Sequence, residues 1–200
     1  MPPPKLRTDT FNMDRIILDI ETKNSFEDVG GRDHLKDLSV SVVGVYSYDE
    51  DKYFAFDEHE MEKLGELLKR TQLIVTFAGV RFDLPVLEKY FSFNFNSIEH
   101  FDILEEVEKN LGRRIGLGIL AEANLGIGKS SHGLEAIEMY RRGEIQELKD
   151  YCLQDVKVTK ELYELIKKQG YLWIPERYSS RMTKLAIEYK EELSAQNQLL

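Results

Sequence analysis

The hydrophobic residues of this chain follow two different spacings. Segments that alternate, or that are rich in β-branched and aromatic residues, predict strands; they are residues 14–21, 39–48, 52–56, 73–77 and 98–101. Apolar residues recur every three or four positions at residues 60–70 and 144–169, which predicts helices, and a shorter helix is expected at residues 84–90. Three successive strands followed by alternating helices and strands indicate an α/β fold, with a mixed five-stranded sheet flanked by helices.

The two ends of the chain differ from this central domain, which spans residues 13–174. Residues 1–12 are Pro-rich and polar, and are predicted to be a loose tail. Pro175 interrupts the chain, and residues 175–200 are predicted to form a last amphipathic helix. The apolar residues on one face of that helix are Met182, Leu185, Ala186 and Tyr189. We expect it to pack on its own domain, with a contact to a partner through residues 178–195 as the alternative.

Composition restricts the class of protein. The chain has 200 residues, of which 42% are hydrophobic and 32% charged, as expected for a globular domain with a full core. Its one cysteine, Cys152, has no partner for an internal disulfide, which favours a reducing, cytoplasmic setting. No apolar run approaches the roughly 18 residues that cross a membrane, so no membrane association is expected. The pattern predicts no particular oligomeric state.

Two carboxylates share one face of the first predicted strand. Side chains alternate along a strand, so Asp19 and Glu21 point one way, whereas Ile16, Leu18 and Ile20 point the other. Buried like charges repel and lose hydration, which costs several kcal/mol per ion unless something compensates. A cation between them is the simplest compensation. The alternative is that both side chains lie beyond the sheet and face water.

A third carboxylate lies beside the apolar stripe of the helix at residues 144–169. It is Asp155, and Tyr151 lies one turn before it, so both side chains can address one site. The alternative is a boundary carboxylate paired with a lysine or arginine. A fourth, Asp83, follows a strand and a glycine and opens a helix that contains Pro85. A helix cap explains Asp83 equally well.

Taken together, these three motifs occur in the order found in a known family. The chain resembles the DEDD exonuclease superfamily, in its tyrosine-bearing branch, on a ribonuclease H-like fold. It is most similar to the predicted ribonuclease H-like exonucleases of bacteria, which are related to the proofreading domain of family-B DNA polymerases. The resemblance covers about residues 14–174 and rests on residues 18–22, 79–85, 100–104, 116–129 and 151–162.

This resemblance implies a hydrolase, a metal-dependent 3′→5′ exonuclease. Four carboxylates would bind two divalent cations, Mg²⁺ or Mn²⁺; they are Asp19, Glu21, Asp83 and Asp155. Tyr151 would orient the attacking water. The substrate would be the 3′ end of a single-stranded or frayed nucleic acid, with DNA favoured. The net charge of −9 is unusual for such a partner, but two bound cations would bring positive charge to the place where phosphate binds.

Further substrate contacts are predicted around these motifs: Thr22, Gly79, Arg81, Phe82 and Lys129. The favoured alternatives are core packing for Phe82 and a solvated surface position for Arg81. Asp102 is expected to cap a helix or to support the site rather than to bind metal.

One position departs from the family pattern. Ala78 replaces the asparagine that usually precedes the glycine of the middle motif. This favours a competing hypothesis, a catalytically weakened ribonuclease H-like module that only binds nucleic acid. A paired-carboxylate glycosidase is a third hypothesis, but it leaves Asp83, Asp155 and Tyr151 unexplained.

Overall fold

The computed structural model describes residues 14–128, 133–177 and 181–189, which form two compact units. The first unit contains residues up to 102 together with residues 131–157. The second contains residues 103–130 and everything from residue 158 onward. Each unit is therefore built from separate stretches of chain.

A mixed sheet of five strands forms the centre of the first unit. The strands are β1 (Asp14–Thr22), β2 (Val40–Ser47), β3 (Lys52–Asp57), β4 (Thr71–Thr76) and β5 (Glu99–Asp102). Their order is β3-β2-β1-β4-β5. The β1–β2 and β2–β3 pairs are antiparallel, and the β1–β4 and β4–β5 pairs are parallel. The predicted α/β fold with a mixed five-stranded sheet is confirmed.

The first unit also contains helices. They are α1 (Met61–Lys69), α2 (Asp83–Leu87), α5 (Gly133–Arg142) and the first half of α6 (Ile145–Gln169). Short 3₁₀ turns lie at Arg32–Asp37, Gly79–Arg81, Glu88–Tyr90 and Phe95–Ser97.

The two faces of the sheet carry different cores. Ile16, Leu18 and Ile20 of β1 are buried in the larger apolar cluster, with residues of α1 and α2. On the other face, Val42 of β2 packs with Cys152 of α6. The alternation predicted for β1 is therefore present, and it directs Asp19 and Glu21 toward α6 rather than into the larger core.

The second unit consists of α3 (Ile103–Leu111), α4 (Leu117–Leu125), the rest of α6 and a two-stranded antiparallel sheet. Its strands are β6 (Tyr171–Pro175) and β7 (Met182–Ala186). In the parts of the chain that are described, no helix combines the length and the apolar character that crossing a membrane requires.

The amphipathic helix predicted for residues 175–200 is wrong where the chain is described. Leu185 and Ile187 are buried, whereas Met182 is 46% exposed and Ala186 is exposed. Burial at every second residue is the period of a strand, and β7 pairs with β6 rather than forming a helical stripe. Residues 190–200, half of the suggested partner contact (residues 178–180 and 190–195) and the tail at residues 1–12 lie outside the described residues.

Candidate metal centre

Strand β1 places two of the predicted ligands. Asp19 pairs with Gly44 of β2 and Glu21 with Val42, so both carboxylates leave the same face of the sheet. Glu21 is buried and Asp19 is half-buried. Regular pairing ends between Glu21 and Thr22, where the register shifts. The two acids therefore lie at the end of an otherwise apolar strand.

Helix α6 reaches this face because β2 carries a glycine there. A Cβ atom at Gly44 would lie 2.8 Å from Cγ2 of Val156 and 2.9 Å from Sγ of Cys152. Only a residue without a side chain allows α6 to lie this close to the strand. The Cys152 thiol then donates to Asp19, with Sγ 3.6 Å from the backbone oxygen and 3.7 Å from Oδ2. The contact fixes α6 next to the first carboxylate pair.

An ion-pair network holds α6 in place near its N-terminal end. Nζ of Lys149 lies 2.9 Å from Oδ2 of Asp57 and 3.2 Å from Oε2 of Glu60. Asp57 is the last residue of β3, and Glu60 is the N-cap residue of α1. Together with the Gly44 contact, they determine where the next two turns of the helix place Tyr151 and Asp155.

Three carboxylates meet as a result. One oxygen each of Asp19, Glu21 and Asp155 lies within 4.8 Å of the others. Asp83 does not belong to that group, but its charge acts on both Asp19 and Glu21. The structure thus brings three predicted ligands together and keeps the fourth within electrostatic reach.

Burial and mutual repulsion perturb this cluster strongly. Burial raises the pKa of Asp19 well above its ordinary value, and the charges of Asp83, Glu21 and Asp155 raise it further. The pKa of Glu21 is also raised well above its ordinary value, first by burial and then by Asp155 and Asp83. Ionised carboxylates in this arrangement need positive charge.

Asp83 is placed by a short loop after β4. Helix α2 begins at Asp83, with Phe82 at the N-cap position and without a side-chain cap hydrogen bond. Oδ2 of Asp83 is buried, and among the described residues it has no hydrogen-bond partner. Burial, and secondly the charge of Asp102, raise the pKa of Asp83 well above its ordinary value. These observations do not support the helix-cap alternative.

Glycine and aspartate side chains explain the shape of this loop. A Cβ atom at Gly79 would lie 2.5 Å from Cβ of Thr76 and 2.8 Å from Oδ2 of Asp83. Gly79 therefore makes room for the Asp83 carboxylate. The buried carboxylate of Asp102 accepts hydrogen bonds from the backbone N–H groups of Ala78, at 2.9 Å, and Val80, at 3.0 Å. Asp102 therefore supports the loop through its hydrogen bonds.

Tyr151 is half-buried beside the carboxylates. Burial raises the pKa of its hydroxyl, and the charges of Glu21, Asp155 and Asp19 raise it further. A tyrosine in this environment keeps its proton at neutral pH. Its hydroxyl is therefore suited to orienting a water by hydrogen bonding rather than to acting as a base.

The remaining residues that were predicted to contact the substrate lie in different environments. Thr22 is buried, and its hydroxyl donates to the backbone oxygen of Asn24 at 2.9 Å. Phe82 packs edge-to-face on Phe26, with ring centroids 5.6 Å apart, as its core-packing alternative requires. Arg81 is exposed. Lys129 lies outside the described residues.

The donor set fits hard divalent cations. Every candidate ligand is a carboxylate oxygen, the kind of ligand that Mg²⁺ and Mn²⁺ prefer. The buried oxygen of Asp83 that lacks a hydrogen bond is a second observation in favour of a cation. The residues present therefore fit the predicted cofactor.

Sequence reasoning missed Gly44 and Lys149. A glycine within a run of valines is a recognisable signal, because glycine in a strand often marks the close approach of another backbone. No comparable signal exists for Lys149, whose partners are distant in the sequence.

Comparison with known proteins assigns the family. Residues 16–167 match the model of the RNase_H superfamily, and the chain belongs to that superfamily. This membership confirms the expected ribonuclease H-like fold and supports a nuclease-type function on nucleic acid. No curated protein matches the chain.

Solved structures give the same fold. Among 124 matching chains, one is described as the family B DNA polymerase from the hyperthermophilic archaeon Pyrobaculum calidifontis. The TM-score is 0.58 at 17% sequence identity. The match covers 84% of this chain but 25% of the polymerase chain, so this chain spans about a quarter of the length of that structure.

Proposed function

We propose that this chain is a metal-dependent 3′→5′ exonuclease of the tyrosine-bearing DEDD type. It would hydrolyse the terminal phosphodiester bond of single-stranded or frayed nucleic acid, with DNA favoured. The observation that carries the proposal is the meeting of Asp19, Glu21 and Asp155 within 4.8 Å beside the buried Asp83. A purely structural role would not explain why like charges are collected in an apolar environment.

Four side chains would hold the two cations, Mg²⁺ or Mn²⁺: Asp19, Glu21, Asp83 and Asp155. When bound, the cations supply Lewis-acid activation of water and neutralise negative charge at the phosphodiester. The chain contributes rigidity, because β1 and α6 fix three carboxylates and the Asp102-supported loop fixes the fourth. Without cations the same cluster repels phosphate, so placing the terminal phosphodiester against the four carboxylates should require them.

Tyr151 contributes a protonated hydroxyl next to this cluster. We assign it the orientation of the attacking water, by a hydrogen bond. Proton removal from that water is not assigned to the tyrosine, since burial of its hydroxyl raises its pKa and disfavours a phenolate.

The main competing function is that of an inactive module that only binds nucleic acid. That hypothesis rests on Ala78, which replaces the usual asparagine. The Asp102 carboxylate holds the backbone of Ala78 and Val80 directly. The loop before Asp83 is therefore fixed without an asparagine side chain at position 78. No observation on the site now favours the inactive alternative.

The test uses a 5′-labelled single-stranded oligodeoxynucleotide with Mg²⁺ or Mn²⁺. An exonuclease that works from the 3′ end gives a ladder of successively shorter labelled products, and chelator abolishes it. Asp155→Asn should abolish both turnover and Mn²⁺ binding. Tyr151→Phe should lower turnover and leave Mn²⁺ binding intact, because only the hydroxyl is lost.

Asp150→Asn is the matched control on the same helix. Asp150 is exposed, and its carboxylate accepts from Gln146 at 3.0 Å. This variant should cleave like the wild type. Full activity of Tyr151→Phe would remove the assigned role of the tyrosine, and binding of the intact strand without any cleavage would favour the inactive module.

A further inference from the structure

The small sheet of the second unit has one buried and one exposed face. Its buried face is formed by aliphatic side chains, namely Leu172, Ile174 and Leu185. Strand pairing places Trp173 opposite Lys184 and Pro175 opposite Met182, on the other face. Trp173 is 39% exposed and Met182 46%. We call the surface formed by Tyr171, Trp173 and Lys184 the aromatic face.

The aromatic face combines two rings with a cation. Tyr171 and Trp173 meet edge-to-face, with centroids 5.6 Å apart and planes at 83°. Nζ of Lys184 lies 3.9 Å from the centroid of the Tyr171 ring. In an edge-to-face pair each ring keeps at least one π face that the other does not cover. An exposed ring such as that of Trp173, with a cation nearby, is a group on which unpaired bases stack.

Hydrogen bonds from the side chains of Asn124 and Arg113 hold strand β6 in place. The side chain of Asn124 in α4 makes both hydrogen bonds that a neighbouring strand would make to Trp173, with its Nδ2 donating at 2.8 Å and its Oδ1 accepting at 2.7 Å. Arg113 donates to the backbone oxygen of Pro175 at 3.2 Å. These contacts occupy backbone groups at the edge of β6 to which an added strand would have to bind. A partner can therefore bind to the face of this sheet rather than to that edge.

Charge indicates which partner this face suits. Residues 171–187, which contain β6 and β7, have one acidic side chain, Glu176, and three cationic ones, which gives a local charge of +2 in a chain of −9. The cations are Arg177, Arg181 and Lys184. A polyanion is attracted to such a segment, whereas a purely apolar partner gains nothing from it.

We propose that the aromatic face binds single-stranded nucleic acid, with a base stacked on Trp173 and backbone phosphate near Lys184. This deepens the proposed function, on which the identity of the ligand rests. Single strands are favoured over duplexes because their bases are free to stack on protein rings. A protein surface is the other possible occupant, and the experiment below distinguishes it.

Intrinsic fluorescence provides a direct measurement, because Trp173 is the only tryptophan of the chain. A short oligodeoxythymidylate is titrated into the full-length protein in chelator, so that no cleavage occurs. We expect saturable quenching of the tryptophan emission at the same concentrations at which the anisotropy of a dye-labelled oligonucleotide rises. Unchanged emission at saturation would place the bound strand elsewhere and overturn the proposal.

Substitutions separate stacking from apolar contact. Trp173→Phe keeps a ring and should retain most of the affinity, whereas Trp173→Leu keeps apolar bulk and should weaken binding about tenfold. Lys184→Gln should lower the salt slope of the affinity by about 0.7, the value for one phosphate contact on a single strand. Leu134→Ala in α5, where the leucine is 69% exposed, is the control and should bind like the wild type.

The possible outcomes test the aromatic face and the proposed exonuclease separately. If Trp173→Leu and the wild type bind the oligonucleotide with equal affinity, and circular dichroism shows that both proteins are folded, base stacking is contradicted and a protein partner is favoured. Quenching in chelator without any cleavage in Mn²⁺ would overturn the proposed exonuclease and leave this inference standing. Cleavage without quenching would do the reverse.

Discussion

Among the described residues of the candidate site, Ala78 is the one whose backbone is strained. Its φ of 69° and ψ of 8° lie in the left-handed region, which a side chain bearing Cβ disfavours by about 1–2 kcal/mol. Asparagine tolerates that region better than alanine. The departure from the family pattern at this position is therefore a matter of backbone energy, which the Asp102 carboxylate offsets by binding the N–H groups of Ala78 and Val80.

Ala78→Asn should stabilise the protein. Because asparagine adopts the left-handed conformation at lower cost, we expect the free energy of unfolding to rise by about 0.5–1 kcal/mol. Urea denaturation of the metal-free protein measures it. Ala78→Gly is the comparison, and its gain should be smaller because glycine also increases the entropy of the unfolded chain. A decrease in stability for the asparagine variant would contradict the interpretation.

At the scale of elements, the site depends on how closely α6 lies against β2. Gly44→Ala would bring a Cβ atom to 2.8 Å from Val156 and 2.9 Å from Cys152, so helix and strand must separate. We expect a loss of about 1–3 kcal/mol of stability from overpacking. We also expect at least roughly tenfold weaker Mn²⁺ binding, because Asp155 moves with the helix.

Gly116→Ala is the matched control for Gly44→Ala. A Cβ atom at Gly116 meets no heavy atom within 4 Å, so this variant should keep both stability and Mn²⁺ affinity. Isothermal titration with Mn²⁺ and thermal unfolding measure the two quantities. Tight Mn²⁺ binding by a folded Gly44→Ala protein would show that the position of α6 does not determine the site.

Local periodicity accounts for what the sequence could predict about these elements. Alternation along β1 and the helical stripe of α6 are encoded by neighbouring residues, so the faces carrying Asp19 and Asp155 follow from the sequence. The contact of Gly44 with α6 is a tertiary contact and leaves no periodic signal. At residues 182–189 a helical spacing of apolar residues is present, yet pairing with β6 and the burial of Leu185 determine a strand. Tertiary contacts outweigh a short periodic pattern.

At the scale of the whole molecule, acidic residues outnumber basic ones by 36 to 27, and some of that excess is concentrated at one site. Burial raises the pKa of Asp19, Glu21 and Asp83 well above the ordinary values. The folded protein without metal therefore binds these protons more tightly than the unfolded chain does. The cluster destabilises the fold when it ionises, and bound cations would reverse the effect.

The pH dependence of stability follows from the direction of these pKa shifts. For a carboxyl group whose pKa is raised by folding, the stabilising effect of the bound proton is complete below its unfolded pKa, near 4, and is lost as pH rises through the folded value. Carboxyls of lowered pKa, such as Asp57 and Glu58, titrate below this range. His100, whose pKa burial lowers, acts in the opposite direction, since its contribution to stability is lost as pH falls through its lowered folded pKa.

Metal-free protein should therefore unfold at lower temperature at pH 8 than at pH 5.5, and Asp83→Asn should reduce that difference, because His100 is common to both proteins. Mn²⁺ at a hundredfold excess over its dissociation constant should raise the midpoint by about 5–10 °C at pH 8 and by less at pH 5.5, where protons compete. Differential scanning calorimetry measures the midpoints, with NaCl of equal ionic strength as the control for screening. An equal rise in NaCl would attribute the effect to ionic strength, and a wild-type midpoint independent of pH would mean that the carboxylates are already compensated without metal.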